Sequence, residues 1–325
     1  MTKHSPLSLI ERAAEAYDFA ALLRAPQAPA PAPELVAPVA DEIVDVEPEE
    51  VLLLEEPVET DPAPRPARLP ALVHAAPAGE LAAIDRAALA EKGFILPDAP
   101  VTGLAEEFRL VKRQLLAGID RRVSLPEEKR RTVLISSGQP GEGKSFCATN
   151  LALSLAGERD VEVLLIDGDV SKPDILATLG IAASGPGLVD ALADPAADPE
   201  GFVIRTDVSG LSVLPAGRKA NNVPELLASD RTRDVLARLA AAHPHRVILF
   251  DSPPALMASS AAVLAGHVGQ VLVVVRADRT TEADLRETIA MLSACDHVGL
   301  LLNGAALSLG GRRFGAYEGY GDGED

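Results

Sequence analysis

The chain has no tryptophan, only three tyrosines and only two cysteines, and it is short of basic charge. Thirty Lys and Arg stand against 48 Asp and Glu, a formal net charge of −18 over 325 residues. Each shortage excludes something. A chain this acidic is a poor nucleic-acid binder, because phosphate contacts are made by Lys and Arg. Cys147 and Cys295 cannot staple a small secreted fold. No apolar run reaches the roughly 18 residues that a membrane-spanning helix requires. Glu11, Arg12, Glu15 and Asp18 interrupt any apolar core near the N-terminus, so no secretory signal is expected and the cytoplasm is the expected location. Of the three tyrosines, Tyr317 and Tyr320 both fall in the last nine residues.

The acidity is unevenly spread. Residues 1–95 hold 13 of the 26 prolines and 17 acidic against 7 basic residues, and between Arg24 and Arg65 there are 11 acidic residues and no basic one. Such a segment buries too little apolar surface to offset its ordering entropy. The expected organisation is a short amphipathic helix within residues 1–24 and a disordered acidic Pro/Ala-rich linker over 25–80. One folded domain over 81–306 and a flexible Gly/Tyr/acidic tail over 307–325 complete it. The first helix reads either as a fraying amphipathic piece or as a docking element for a membrane partner.

Within the domain, helical spacing predicts helices over 81–91 and 105–119. Strands and helices then alternate. Strands are expected at 132–136, 161–166, 211–214, 246–250, 270–275 and 298–302. Helices are expected at 145–157, 230–242, 259–265 and 282–293. The strands are near-continuous Val/Ile/Leu runs, the pattern of strands buried on both faces, so the expected fold is α/β with a mostly parallel sheet flanked by helices.

Between the first strand and its helix stand Gly138, Gln139, Pro140, Gly141, Glu142, Gly143, Lys144 and Ser145, followed by Phe146. This is G-x-x-x-x-G-K-[ST] in its strand-loop-helix setting, the mark of a P-loop NTPase. Glycines let backbone N–H groups turn toward phosphate oxygens, and the helix N-terminus adds partial positive charge. Lys144 can reach the β- and γ-phosphates of ATP, and Ser145 can ligate Mg²⁺. Two further strands end in acid: one runs into Asp167, Gly168 and Asp169, the other into Asp251, Ser252, Pro253 and Pro254. Carboxylates at the C-terminal edge of an open α/β sheet stand where ligands bind, and can hold Mg²⁺ through its waters.

With these motifs the chain resembles the bacterial tyrosine kinases of polysaccharide synthesis, P-loop proteins unrelated in fold to eukaryotic kinases. More narrowly it is similar to the exosortase-associated (PEP-CTERM-locus) exopolysaccharide tyrosine autokinases. Further matches are the Ser8-Leu-Ile-Glu-Arg12 segment, the acidic-aromatic-basic run from Glu106 to Arg113, Pro215-Ala-Gly217 and Pro224-Glu-Leu-Leu227. The resemblance implies transfer of the γ-phosphoryl group of Mg-ATP to tail tyrosines, here Tyr317 and Tyr320, between subunits. It gives Lys144 the phosphate role, makes Asp167 the general base, and assigns metal roles to Ser145, Asp169 and Asp251. Asn150 would brace the active-site loops and Asn303 would lie at the adenine edge. Glu106, Arg109 and Lys112 either form the contact of a ring-shaped homo-oligomer or pair along a solvated helix face. The implied partner is a membrane chain-length-determinant or polysaccharide copolymerase protein, which would hold the chain at the inner face of the membrane. Where the family often has Arg two residues after its second Asp, this chain has Ser171, and Lys172 follows. Two other functions remain open: a partition-type switch ATPase, against which Gln139 stands in place of a signature Lys, and a nucleotide-bound scaffold for the copolymerase.

Overall fold

The computed structural model describes residues 81–305, apart from 183 and 184. The first helix, the linker and the tail with Tyr317 and Tyr320 lie outside the described residues.

A seven-stranded sheet forms the centre. In chain order its strands are β1 (Thr132–Ser137), β2 (Glu162–Asp167), β3 (Ile204–Arg205), β4 (Leu211–Leu214), β5 (Arg246–Asp251), β6 (Gln270–Arg276) and β7 (Val298–Asn303). Their spatial order is β3-β4-β2-β5-β1-β6-β7. Every neighbouring pair is parallel except β3 with β4. The six expected strands are all present, and β3 is the addition. Two residues long and antiparallel, it offers no alternation from which it could have been read.

Side-chain alternation splits the core in two. Val133, Ile135, Val163, Leu165, Val247 and Leu249 point to one face, which is covered by helices α2 (Gly103–Arg121) and α4 (Lys144–Ala156). Leu134, Leu164, Ile166, Ile248 and Phe250 point to the other, beneath α8 (Asp230–Ala242) and α9 (Ser259–Ala265). Phe250 is fully buried, and truncating it to Ala would be expected to destabilise the domain by about 3–5 kcal/mol. Burial on both faces is why these strands lack polar alternation.

Two helix boundaries differ from expectation for local reasons. The expected 81–91 helix starts late, as α1 (Arg86–Glu91), because Asp85 caps it by accepting the Ala88 N–H at 3.0 Å. Ala82 is meanwhile tied to the sheet edge, its N–H donating to the Arg205 carbonyl at 2.9 Å. Helix α2 outruns the expected 105–119, opened by Thr102, which accepts the Ala105 N–H. Short helices α3 (Glu127–Arg130), α5 (Ile175–Leu179), α6 (Leu188–Ala193) and α7 (Val223–Ala228) were not legible. Helix α10 (Glu282–Met291) precedes β7.

Candidate active site

The strand order places β2, β5 and β1 side by side, so their C-terminal ends converge. Asp167 and Asp251 are register partners, and Ile135 pairs with Asp251 two residues before the loop that follows β1. The Gly168 N–H donates to the Asp251 carbonyl at 2.8 Å, and a Cβ at Gly168 would stand 2.7 Å from that same oxygen. A glycine between the two aspartates is therefore what lets the strand ends close up.

The phosphate loop is held from three sides. Gly143, with φ +97°, caps α4 in the left-handed region, where a side chain would be strained. The buried Glu142 carboxylate accepts the Gln139 N–H at 2.8 Å and the Thr280 hydroxyl. The Asn303 amide donates to the Glu142 carbonyl at 2.9 Å, and the Gln139 amide reaches Asp284 at 3.3 Å. The loop is thus preformed, which removes an ordering cost from ligand binding. Thr280 and Asp284 carried no sequence signal, since they sit in and just after the β6–α10 turn with no motif around them.

Beneath the loop lies a cleft of about 420 Å³ whose lining includes Pro140, Gly141, Gly143, Lys144, Ser145, Phe146, Asp169 and Lys172. Pro253, Pro254 and Met257 form part of its wall. The Lys144 ammonium stands 3.2 Å from Asp169 Oδ2. Burial opposes its charge, but Asp251, Asp169 and Asp174 outweigh burial and hold its pKa above the ordinary lysine value. Asp169 also accepts the Lys172 N–H at 3.1 Å.

Burial pushes the Asp167 carboxyl up to about 7, against the opposing Ile175 N–H, which donates to Oδ2 at 3.2 Å. Burial likewise lifts Asp251 to about 7, against the attraction of Lys144 and the nearby Ser145 hydroxyl. Both Asp251 oxygens and Asp167 Oδ1 are buried without a hydrogen-bond partner among the described residues. Unpartnered carboxylate oxygens beside a serine hydroxyl suit a hard, oxygen-seeking cation, so the residues fit Mg²⁺.

The remaining expected residues divide. Asn303 ends β7 as anticipated, but its amide braces the phosphate loop. Asn150 is buried: its Oδ1 accepts the Ile95 N–H at 2.8 Å and its amide donates to the Phe146 carbonyl at 3.0 Å. That ties residues 94–96 to α4, where the Phe94 and Phe146 rings lie 4.9 Å apart. On α2, Glu106 and Arg109 pair with each other on a half-exposed face. Lys112 turns inward and is 7% exposed, donating to the Ser154 carbonyl at 2.9 Å and pairing with Glu158 at 2.7 Å. As placed, it is bound to its own domain rather than offered to a neighbour. Ser171 and Lys172 both line the cleft, so the position without Arg still brings an ammonium close by.

Comparison with known proteins follows the same lines. A family model described as ParA, NUBPL iron-transfer P-loop NTPase, matches residues 128–223. The tyrosine-protein kinase ptk of Acinetobacter johnsonii is 30% identical over 185 residues, covering 57% of this chain and 24% of that protein. The tyrosine-protein kinase YwqD of Bacillus subtilis is 28% identical over 227 residues, covering 69% of this chain and 91% of that protein. Among solved structures, the BceF tyrosine kinase domain is 30% identical with a TM-score of 0.50, covering 60% of this chain and 76% of that one. The chain spans 21%, 22% and 24% of the length of three curated relatives matched at 30% identity or more. A phosphate loop and two aspartate-ended strands on a ParA-type sheet, with a solved tyrosine kinase domain covered over three quarters of its length, show that the chain belongs to the bacterial tyrosine kinases.

Proposed function

We propose that the protein is an ATP-dependent tyrosine autokinase of exopolysaccharide or capsule synthesis, which transfers the γ-phosphoryl group of ATP to Tyr317 and Tyr320 between subunits. The observation that carries this reading is Asp167. It is buried at the end of β2, in register with Asp251, with one oxygen free and its pKa raised to about 7. A phenol has a pKa near 10 and gives up its proton in the transition state only to a base in place. A carboxylate poised near neutrality suits that task better than one at its ordinary value. As the tyrosine oxygen bonds to the γ-phosphorus, the bond to the β–γ bridging oxygen breaks, the tyrosine proton passes to Asp167, and ADP leaves.

The other residues position and neutralise. The backbone N–H groups of the Gly138–Ser145 loop surround the phosphates. Lys144, held by Asp169, faces the phosphate oxygens. Asp251 and Ser145, with Asp169, would hold Mg²⁺. That ion, when bound, neutralises charge on the phosphate oxygens. Asn303 keeps the loop closed on the side where the adenine would lie.

Two partners belong to the same proposal. Glu106 and Arg109 stand on the outward face of α2, which would meet a second copy in a homo-oligomer. Among the described residues no helix is long and apolar enough to cross a membrane. A membrane polysaccharide copolymerase would supply attachment to the inner face of the membrane.

The test is to incubate the full chain with Mg-ATP and map phosphate by mass spectrometry. Phosphate on Tyr317 or Tyr320 that disappears in Lys144→Met is the expected result. ATP hydrolysis without phosphotyrosine would replace this reading with a partition-type switch. Nucleotide binding with neither would replace it with a scaffold.

A further inference from the structure

The cleft is short of cations for the ligand it is proposed to take. Asp167, Asp169, Asp174 and Asp251 gather around it, against the ammonium groups of Lys144 and Lys172. Lys144 already shares its charge with Asp169 at 3.2 Å. A nucleoside triphosphate brings still more negative charge, and a Mg²⁺ held by Asp251, Ser145 and Asp169 would offset only part of it, so a further cation beside the loop would favour binding.

The turn after β6 offers one. Arg279 is exposed, and its side chain makes no hydrogen bond or ion pair among the described residues. Its neighbour Arg276 is engaged, pairing with Asp278 at 3.0 Å. A Cβ added to Gly141 would stand 2.9 Å from Arg279 Nη1, so this guanidinium rests against the rim of the phosphate loop. Gly141 itself lines the cleft.

The turn that carries Arg279 is locked rather than loose. The Arg276 N–H donates to the Thr280 hydroxyl at 2.8 Å and the Thr280 N–H to the Arg276 carbonyl at 2.9 Å. The Ala277 N–H reaches the Asn303 carbonyl at 3.0 Å, and the Thr280 hydroxyl is also bonded to Glu142 within the loop. The backbone that carries Arg279 is therefore held beside Gly141 by the same contacts that shape the loop, while its side chain is left to turn toward a ligand.

We infer that Arg279 is a cation of the nucleotide site, whose guanidinium meets phosphate oxygens of the bound nucleoside triphosphate from the β6–α10 turn. The planar fork of Arg can engage two oxygens at once, which an ammonium cannot. This rests on the proposed nucleotide site but not on tyrosine as the acceptor.

The test is Mg-ATP affinity, measured by titration calorimetry on the full chain, for wild type, Arg279→Ala and Arg279→Lys. Loss of a charge-assisted hydrogen bond predicts affinity about tenfold or more weaker in Arg279→Ala, with partial recovery in Arg279→Lys. Thermal unfolding without nucleotide should be unchanged, since the side chain has no hydrogen-bond or ion-pair partner among the described residues. Affinity within about twofold of wild type in Arg279→Ala would overturn the inference. So would a weakened Arg279→Ala that also unfolds earlier without nucleotide, which would mark a structural role. If wild type binds Mg-ATP yet forms no phosphotyrosine, the kinase reading fails while this inference is still decided by the affinities.

Discussion

Asp251→Asn should make the nucleotide-free protein more stable at alkaline pH while removing its activity. Asp251 is fully buried, and its carboxyl is raised from 3.8 to about 7 chiefly by that burial. An acid whose folded pKa lies above its unfolded value is proton-hungry in the fold. Its burden on stability is absent below about pH 4, grows as pH rises between the unfolded and folded values, and is complete above 7. Three units correspond to about 4 kcal/mol in full, of which about 2 kcal/mol falls between pH 5.5 and 8.5. Asn has nearly the same shape and no charge, so this part of the pH dependence should vanish. Urea unfolding of both proteins at pH 5.5 and 8.5 reads the effect directly. Wild type should lose about 2 kcal/mol more than the variant over that interval, less whatever the neighbouring Asp167 absorbs through coupled titration. Equal losses in the two proteins would refute the claim that burial raises the proton affinity of Asp251 in the fold.

Three further outcomes follow from the same geometry. Mg-ATP affinity should fall below pH 7 by up to about tenfold per unit, because a protonated Asp251 offers no charge to the cation; calorimetric titration between pH 6 and 8 checks it. Gly143→Ala should abolish Mg-ATP binding and destabilise the domain by about 1–3 kcal/mol, since a Cβ there is strained at φ +97° and would overlap the Asn303 amide; thermal unfolding and calorimetry read the two effects. Lys112→Ala should lower stability by about 1–3 kcal/mol without altering oligomeric state, whereas Arg109→Glu should alter sedimentation while changing stability by less than about 0.5 kcal/mol.

The sheet was legible because its strands are buried on both faces, and burial on both faces leaves an unbroken apolar run between turn residues. The phosphate loop and the two aspartate-ended strands were legible because chemistry constrains them locally. A glycine must stand where φ is positive at position 143, and an aspartate must end a strand for its carboxylate to reach the sheet edge. What escaped was whatever depends on two distant segments meeting. Strand β3 exists only because Ile204 and Arg205 find Val213 and Ser212. Thr280 and Asp284 matter only because β6 lies beside β1, which carries their turn up to the loop. No spacing within 278–284 announces that.

Helix α2 shows why a run of charges is hard to read in one dimension. Glu106, Arg109 and Lys112 recur every three residues, and i,i+3 spacing suggests one face. At 3.6 residues per turn, each step of three falls about 60° short of a full turn, so Glu106 and Lys112 differ by about 120° around the helix axis. Phe108, Leu115 and Ile119 set the buried side, and Lys112 lies on its margin, four residues after Phe108. A lysine at such a margin can lay its apolar stem on the core and deliver its ammonium to a carbonyl. It does so, at Ser154 near the C-terminal end of α4, where carbonyls lack helical partners. The same residue type at the same spacing thus anchors the helix that follows the phosphate loop, while Glu106 and Arg109 are left for the surface. Glu106, Arg109 and the exposed Leu110 are among the α2 residues open to a subunit contact, with Lys112 acting from behind by fixing how α2 sits on α4.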